Sequence, residues 1–426
     1  VGTGWDQHRY GPARPPDNGG TMTATTRAFP ALLLCAFFGA ATYTSVTPFL
    51  NEMSADLAIS AGLTGQLTSV SSLAAAVVSL ALAPFVAAWA PKPLLTGTVA
   101  IIGVASIGSG LAPSFPALLA LQFVVGGASA VGATSTLVAL GRVYRDPTAR
   151  AARQGLVVGA LGSGALLGTP ILRLIADAGS WRVALTAYGL AALLAATVAS
   201  LTLPAMPAER RGTTDRTARI DQALAAARLP GIGTTLATSA LTLLVWGVLS
   251  AFLAGAFVDR YPGREGWIGA LWFTDGFAWL IGCSLGGLLV ARVAATERVL
   301  AGSLAAMTLA MAAFAWLAAG PLVTLVSFGV WALLFGVASN AVLTLYTRHA
   351  GAHGPAVLFL DSAIQKVAMF LGGVSGGIAI DLSGGYAAWS ALAVAASSLA
   401  LLPLALRMRA TSIPRYPAIA DEPAAP

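Results

Sequence analysis

The stretch "PAMPAERRGTTDRTARIDQALAAARLP" (204–230) is the one long polar connection between the apolar segments of this chain. It carries Arg210, Arg211, Arg216, Arg219 and Arg228 against Glu209, Asp215 and Asp221. What lies on either side of it decides the fold. Six apolar runs precede it, at about 29–50, 63–88, 94–112, 117–141, 154–177 and 182–203. Six more follow, at about 232–257, 267–291, 299–319, 321–347, 355–381 and 386–406. Each is near the roughly 20 residues that one helix needs to cross the hydrocarbon of a bilayer. The breaks between them hold Pro, Gly or charge, as in "WAPKP" (89–93), "RVYRDPTARAAR" (142–153), "RYPGREG" (260–266) and "RHAGAHGP" (348–355).

Composition agrees. The 426 residues are 57% hydrophobic and 10% charged, whereas soluble domains carry about 25% charged residues. The expected class is an all-α integral membrane protein with twelve transmembrane helices in two six-helix bundles related by a pseudo-twofold axis. A net charge of +7 is read as basic loops on the cytoplasmic side rather than as a nucleic-acid surface. Arg27, Lys92, Arg142, Arg153, Arg292, Arg348 and Arg407 are among the residues that fall on one side, while Arg182, Arg260 and Arg264 fall on the other. Both termini are therefore expected in the cytoplasm, with the protein in the plasma membrane. Within the linker, "TARIDQALAAARL" has the pattern of a short amphipathic helix, its arginines toward lipid phosphates.

The expected organisation is a disordered tail (1–28), an N-terminal bundle (29–203), a cytoplasmic linker (204–231), a C-terminal bundle (232–407) and a second tail (408–426). A weak internal repeat supports the division. A slide of 205 positions sets Ser79, Leu80, Leu95, Gly97 and Ala100 on Ser284, Leu285, Leu300, Gly302 and Ala305, and a slide of 204 sets Gly168 on Gly372 and Asp177 on Asp381. The first 28 residues lack the apolar core of a signal peptide, and the chain opens on Val1, with Met22 as an alternative start.

Chemistry beyond binding finds little support. Cys35 and Cys283 lie in apolar runs and read as packing residues; His8, His349 and His353 form no metal-ligand spacing; no Walker-type phosphate loop, HExxH or GxSxG occurs. No enzyme activity, cofactor or metal is expected.

Local motifs carry a family resemblance. "LNEMSADLAISAGLTGQLTSV" (50–70), "LAPSFPALLALQFVVGGASA" (111–130) and "GLVVGALGSGALLGTPILRLIADAGSWRV" (155–183) resemble segments of the major facilitator superfamily, in its drug and metabolite efflux (drug:proton antiporter) branch. The resemblance covers about residues 29–407. It implies a secondary transporter that exports a small amphipathic organic compound by alternating access, with protons as the candidate counter-ion. An uncoupled facilitator or importer of the same fold, and a non-transporting sensor, remain as alternatives. A monomer in contact with lipid is expected. The glycine-rich fifth helix, with Gly159, Gly164, Gly168 and Pro170, is expected to permit close contact and bending between the halves. Two departures stand out. The acidic place of the loop signature is Ala87 in "APFVAAWAPKPLL" (83–95) and Ala291 in "GGLLVARVAATERVL" (286–300), where only Lys92 and Arg292 remain; and Gln122 stands where the branch often has a coupling arginine.

Charges inside the spans are costly and mark pathways, relays or paired locks. Arg173, Asp177, Asp275, Asp361 and Lys366 are the candidates. In "FLDSAIQKVAMFLGG" (359–373) Asp361 and Lys366 are five apart, about 140° around a helix, so they do not pair within it; Asp361 shares a face with Gln365. Lys366, near mid-depth, is the sharper functional candidate, and Asp361, about 10 Å in, is either a coupling or substrate residue or the partner of a loop arginine such as Arg348. Asp275 is a second candidate proton carrier. Arg173 is read either as a gate with Asp275 across the halves or as a local pair with Asp177. Tyr43, Thr44, Gln66, Gln122, Asn340 and Tyr346, with Trp246 and Trp272, complete the candidate lining.

Overall fold

A computed structural model of the chain describes residues 18–41, 45–86, 89–144, 153, 156–157, 160, 164–206, 225, 227–229, 231–293, 295–317, 320–350 and 354–412. The first half comprises α1 (Asn18–Ala41), α2 (Leu50–Leu57), α3 (Ala61–Val86), α4 (Pro91–Leu111), α5 (Phe115–Val143), a π-helical turn (Gly164–Gly168), α6 (Thr169–Ala178) and α7 (Trp181–Thr202). The second comprises α8 (Ile232–Arg260), α9 (Ile268–Arg292), α10 (Thr296–Trp316), α11 (Pro321–Ala350), α12 (Gly354–Ser383), α13 (Ala387–Leu399) and α14 (Leu402–Ser412). Ten helices among the described residues are long and apolar enough to cross a membrane. The apolar part of α1 (Ala28–Ala40) and the segment ending in α6 take the other two places of a twelve-helix membrane fold. The central linker lies largely outside the described residues.

Helices dominate because lipid offers no hydrogen bonds, so each backbone group must be satisfied within its own segment. Ser60 begins α3 by accepting from Leu63 N–H at 3.1 Å, and Ser180 does the same for Val183 N–H of α7 at 3.4 Å. Polar side chains within spans turn back on their own helix: Thr136 donates to the Gly132 carbonyl and Thr242 to that of Thr238, both at 2.8 Å.

Two segments differ from the sequence expectation. Residues 18–28, expected to be disordered, are helical as part of α1, since each residue added to an existing helix gains a hydrogen bond without a new nucleus. The same span, expected to run to residue 50, is helical over Asn18–Ala41 and has ended by the bend at residues 45–46; a 3-10 turn at Thr47–Phe49 contains Pro48, which lacks an N–H, and α2 follows. The last span likewise divides into α13 and α14, with Pro403 in the first turn of the latter.

Two separate hydrophobic cores form, one from residues of 28–206 and one from residues of 232–404. Large apolar side chains such as Leu201, Leu309 and Leu382 remain exposed on the outer surface, where lipid is their solvent. The second core is rich in aromatics: Trp331 stacks on Phe328 and on Phe335, with ring centroids 5.9 and 5.3 Å away.

The halves are joined at the end away from the linker. There α3 packs along α12, and α9 against the π-helical turn and α6. The approach is close enough that a Cβ on Gly377 would lie 2.8 Å from the Gly62 carbonyl oxygen, and one on Gly276 2.5 Å from Leu166 N. Ser60 Oγ donates to Asp381 Oδ2 at 3.2 Å, a hydrogen bond from one half to the other.

The basic residues at helix ends mostly cap carbonyls. Arg182 donates to the Ala112 carbonyl at 2.7 Å and pairs with Asp56 at 2.8 Å; Arg260 donates to the Ala315 carbonyl at 2.7 Å. These are the C-terminal ends of α4 and α10, matching positions in the two halves. Lys92, the remnant of the loop signature, donates to the Leu203 carbonyl at 2.7 Å and so closes α7.

Candidate functional site

A cavity of about 170 Å³ lies in the second half, walled by α8, α11 and α12. Ser239 and Thr242 come from α8, Phe335, Ser339, Val342 and Tyr346 from α11, and Asp361 and Gln365 from α12. Ser239 is seven residues from the start of α8 and Asp361 seven from the start of α12, so at about 1.5 Å per residue both lie about 10 Å in from the linker end. Antiparallel α11 brings Tyr346 to the same level near its own last turn.

Asp361 is the centre of this site. Only 7% exposed, its carboxylate accepts from Tyr346 Oη at Oδ1 and from Gln365 Nε2 at Oδ2, each at 2.8 Å. Gln365 Nε2 also lies 3.1 Å from Ser239 Oγ, which ties α12 to α8. Burial of a carboxylate is costly unless it is hydrogen-bonded, and donors from two helices meet that need. The expected Asp361 and Gln365 relationship across one turn is realised. Arg348 donates instead to Thr296 Oγ1 at 2.7 Å.

Behind Phe335 the wall is aromatic. Its ring stacks on Trp246 and on Trp331, at 6.1 and 5.3 Å between centroids. Trp246 and Trp272 are thus packed in the aromatic cluster next to the cavity rather than lining it.

The other sequence candidates are placed elsewhere. Lys366 is half-buried on α12 and does not line the cavity, as the 140° separation requires. Gln122 is buried in the first half, where Ser71 Oγ donates to its backbone carbonyl at 3.0 Å and its own Nε2 donates to Ser109 Oγ at 3.4 Å; it fastens α3, α4 and α5 together. Asn340 Nδ2 donates to the Cys283 carbonyl at 2.8 Å, fastening α11 to α9. Gln66 lies at the α3 and α12 junction, beside Gly377. Tyr43, Thr44 and Gly159 lie outside the described residues.

Asp275 is 5% exposed on α9, next to Gly276, where the helix meets Leu166 of the other half. Among the described residues no hydrogen bond or ion pair reaches its carboxylate. Arg173 does not bridge to it: its guanidinium pairs with Glu52 of α2 through Nη1, and its Nε lies 2.9 Å from Asp177 Oδ1. That second contact is a charge contact without hydrogen-bond alignment, since Nε–H has no acceptor along its direction. In this structure Arg173 thus contacts Asp177, as one of its two sequence readings has it, together with Glu52, which neither reading names. Gly164 and Gly168 bound the π-helical turn and Pro170 stands in the first turn of α6, so a change of helical register lies where close contact and bending were expected.

Ser239, Thr242, Ser339 and Phe335 were not among the sequence candidates. Ser239 and Thr242 sit at the depth of Asp361 on a helix that begins at the same level, and that shared depth was the signal available.

Two separately cored halves of apolar helices joined at one end, with a partly open cavity of mixed polar and apolar lining at membrane depth, define a polytopic membrane transporter rather than an enzyme. The chain belongs to the Major Facilitator Superfamily, whose family model matches residues 32–373. Among solved structures it is similar to a bacterial homologue of the human lysosomal transporter Spinster. In the inward-facing, unoccupied conformation of that protein the TM-score is 0.68 at 16% identity, over 91% of this chain and 97% of the other. In its inward-facing, occupied conformation the values are 0.67 and 18%, over 91% and 96%. At such identities the likeness is one of fold. No curated protein matches the chain.

Proposed function

We propose that this protein is a plasma-membrane secondary transporter that exports a small amphipathic organic compound in exchange for protons, with both termini in the cytoplasm and the monomer as working unit. The bundles 29–203 and 232–407 rock about a central site, and the linker 204–231 tethers them on the cytoplasmic side, with lipid around both. The structure is read as inward-facing, like the Spinster homologue: the halves are joined at the end away from the linker, and the cavity lies toward the linker end.

The observation that carries the reading is the hydrogen-bonded Asp361 in the cavity wall. It is an ionisable group at a site that also offers four hydroxyl side chains and an amide. A carboxylate that exchanges a proton as its surroundings alternate is the simplest coupling device the site affords. Asp275, buried at the junction of the halves, is a second candidate carrier.

The test is flux in proteoliposomes with and without a pH gradient, comparing the wild type with Asp361→Asn. Gradient-driven flux that becomes gradient-independent in the variant supports the proposal. Equal flux with and without the gradient in the wild type would make the protein a facilitator, and ligand binding without flux would make it a sensor.

A further inference from the structure

The chemistry of the cavity narrows the class of compound it takes. Among its described lining residues Asp361 carries the only formal charge, and no Lys, Arg or His is present. A buried carboxylate left without a counter-charge attracts a cation strongly in a medium of low dielectric constant. The two hydrogen bonds on Asp361, one to each oxygen, leave further lone pairs on both. The hydroxyls of Ser239, Thr242 and Ser339 are short groups that can accept from an N–H donor. The same lining includes the apolar Phe335, Val342 and Leu343 of α11. Phe335 presents an aromatic ring held rigid by stacking on Trp246 and Trp331, a surface that favours a cation or an apolar group against it. The volume of about 170 Å³ is many times the roughly 10–15 Å³ that one water requires, so the space suits an organic molecule.

We infer that this cavity is a binding site for a compact organic ammonium ion, whose charged nitrogen is held by Asp361 and whose apolar body lies against Phe335, Val342 and Leu343. Asp361 is the counter-charge, Tyr346 and Gln365 orient its carboxylate, and Phe335 with its tryptophan backing forms the platform. The binding claim stands on the chemistry of the cavity; its extension to transport rests on the proposed function, and it adds that the substrate class is cationic rather than neutral or anionic.

A charge series at constant shape tests it. Phenethylammonium, 2-phenylethanol and phenylacetate are titrated calorimetrically into the full-length protein in nanodiscs. The expected result is saturable binding of phenethylammonium at least tenfold tighter than that of 2-phenylethanol, with phenylacetate weakest. Asp361→Asn, which keeps an acceptor for Tyr346, is expected to erase the preference for the cation while leaving 2-phenylethanol within about twofold. Phe335→Leu is expected to weaken the cation more than the alcohol. Equal or tighter binding of the alcohol or of phenylacetate by the wild type overturns the inference, as does no saturable binding of the ammonium ion. The wild-type series alone decides the matter if a variant does not fold. Cation-selective binding without flux in proteoliposomes would end the transport reading and leave this inference standing. Proton-driven flux of a neutral compound that phenethylammonium does not inhibit would do the reverse.

Discussion

The carboxylate of Asp381, at the end of α12, accepts a hydrogen bond from Ser60 Oγ, 3.2 Å away at the start of α3 in the other half. Ser60 is also the residue that caps α3, through Leu63 N–H. Asp381 therefore rests on a helix N-terminus, where unpaired N–H groups favour negative charge. Both residues are exposed, so the contribution is modest, about 0.5–1 kcal/mol for such a contact. It acts only while this end is closed. Asp381→Ala should raise the population open at this end by about two- to fivefold, read as a longer-distance component between spin labels at positions 63 and 382. An unchanged distribution would remove the latch.

Two glycines at this junction should respond differently to alanine. A Cβ on Gly62 would collide with the Asp381 carboxylate, which can swing aside because it is an exposed side chain. A Cβ on Gly377 would meet the Gly62 carbonyl oxygen at 2.8 Å, and that backbone cannot move alone. Gly377→Ala should therefore weaken the closed end by about 1–3 kcal/mol, whereas Gly62→Ala should match Asp381→Ala and add nothing to it in the double variant. The same spin-label distances separate these outcomes.

The fold could be read from the sequence because it depends on features that chemistry makes local. Twelve apolar runs, a basic linker and the placement of charge all follow from the cost of polar groups in lipid. The site was legible in part. Asp361 and Gln365 belong to one turn of one helix, so their contact follows from spacing alone. Tyr346 could be named only as a polar residue at a suitable depth, because its hydrogen bond to Asp361 depends on how α11 packs against α12. Gln122 and Asn340 looked the same in sequence yet turned to neighbouring helices, since a buried amide takes whatever partner packing provides. Arg173 met Glu52 because the first span ends before the 3-10 turn at Thr47–Phe49 and α2 lies beside α6, an ending whose position hydropathy does not fix.

The position of Gln122 gives a prediction about stability rather than transport. It is 3% exposed and its amide is bonded to Ser71 and Ser109. Gln122→Leu leaves those two hydroxyls without this partner, at a cost of about 1–3 kcal/mol. The thermal midpoint should fall while the charge preference of ligand binding stays the same. A changed preference would return Gln122 to the list of residues that sense substrate.

Arg173 offers a test of the gate that its sequence position suggested. With its guanidinium shared between Glu52 and Asp177, a double-mutant cycle on Arg173 and Glu52 should show a coupling of about 0.5–1 kcal/mol, the size of a partly exposed ion pair. The cycle on Arg173 and Asp275 should be additive in this conformation. Coupling in the second cycle and not the first would identify a state in which the arginine crosses to the other half.

The hydrogen bond from Tyr346 to Asp361 can be isolated by the same method. Tyr346→Phe removes the donor at 2.8 Å and leaves the ring in place, while the carboxylate keeps Gln365. A hydrogen bond to a charged acceptor contributes about 1.5–3 kcal/mol and one to a neutral acceptor about 0.5–1.5 kcal/mol. If Asp361 is ionised in the resting cavity, the cost of Tyr346→Phe should therefore fall by about 1 kcal/mol when it is made in the Asp361→Asn background. Lowering the pH until Asp361 is protonated should have the same effect as the asparagine, because the acceptor is then neutral in both. Thermal unfolding of the four proteins across a pH series measures both effects. Equal cost in the two backgrounds at every pH would mean that Asp361 is held neutral throughout, and a neutral Asp361 could neither exchange a proton nor anchor a cation.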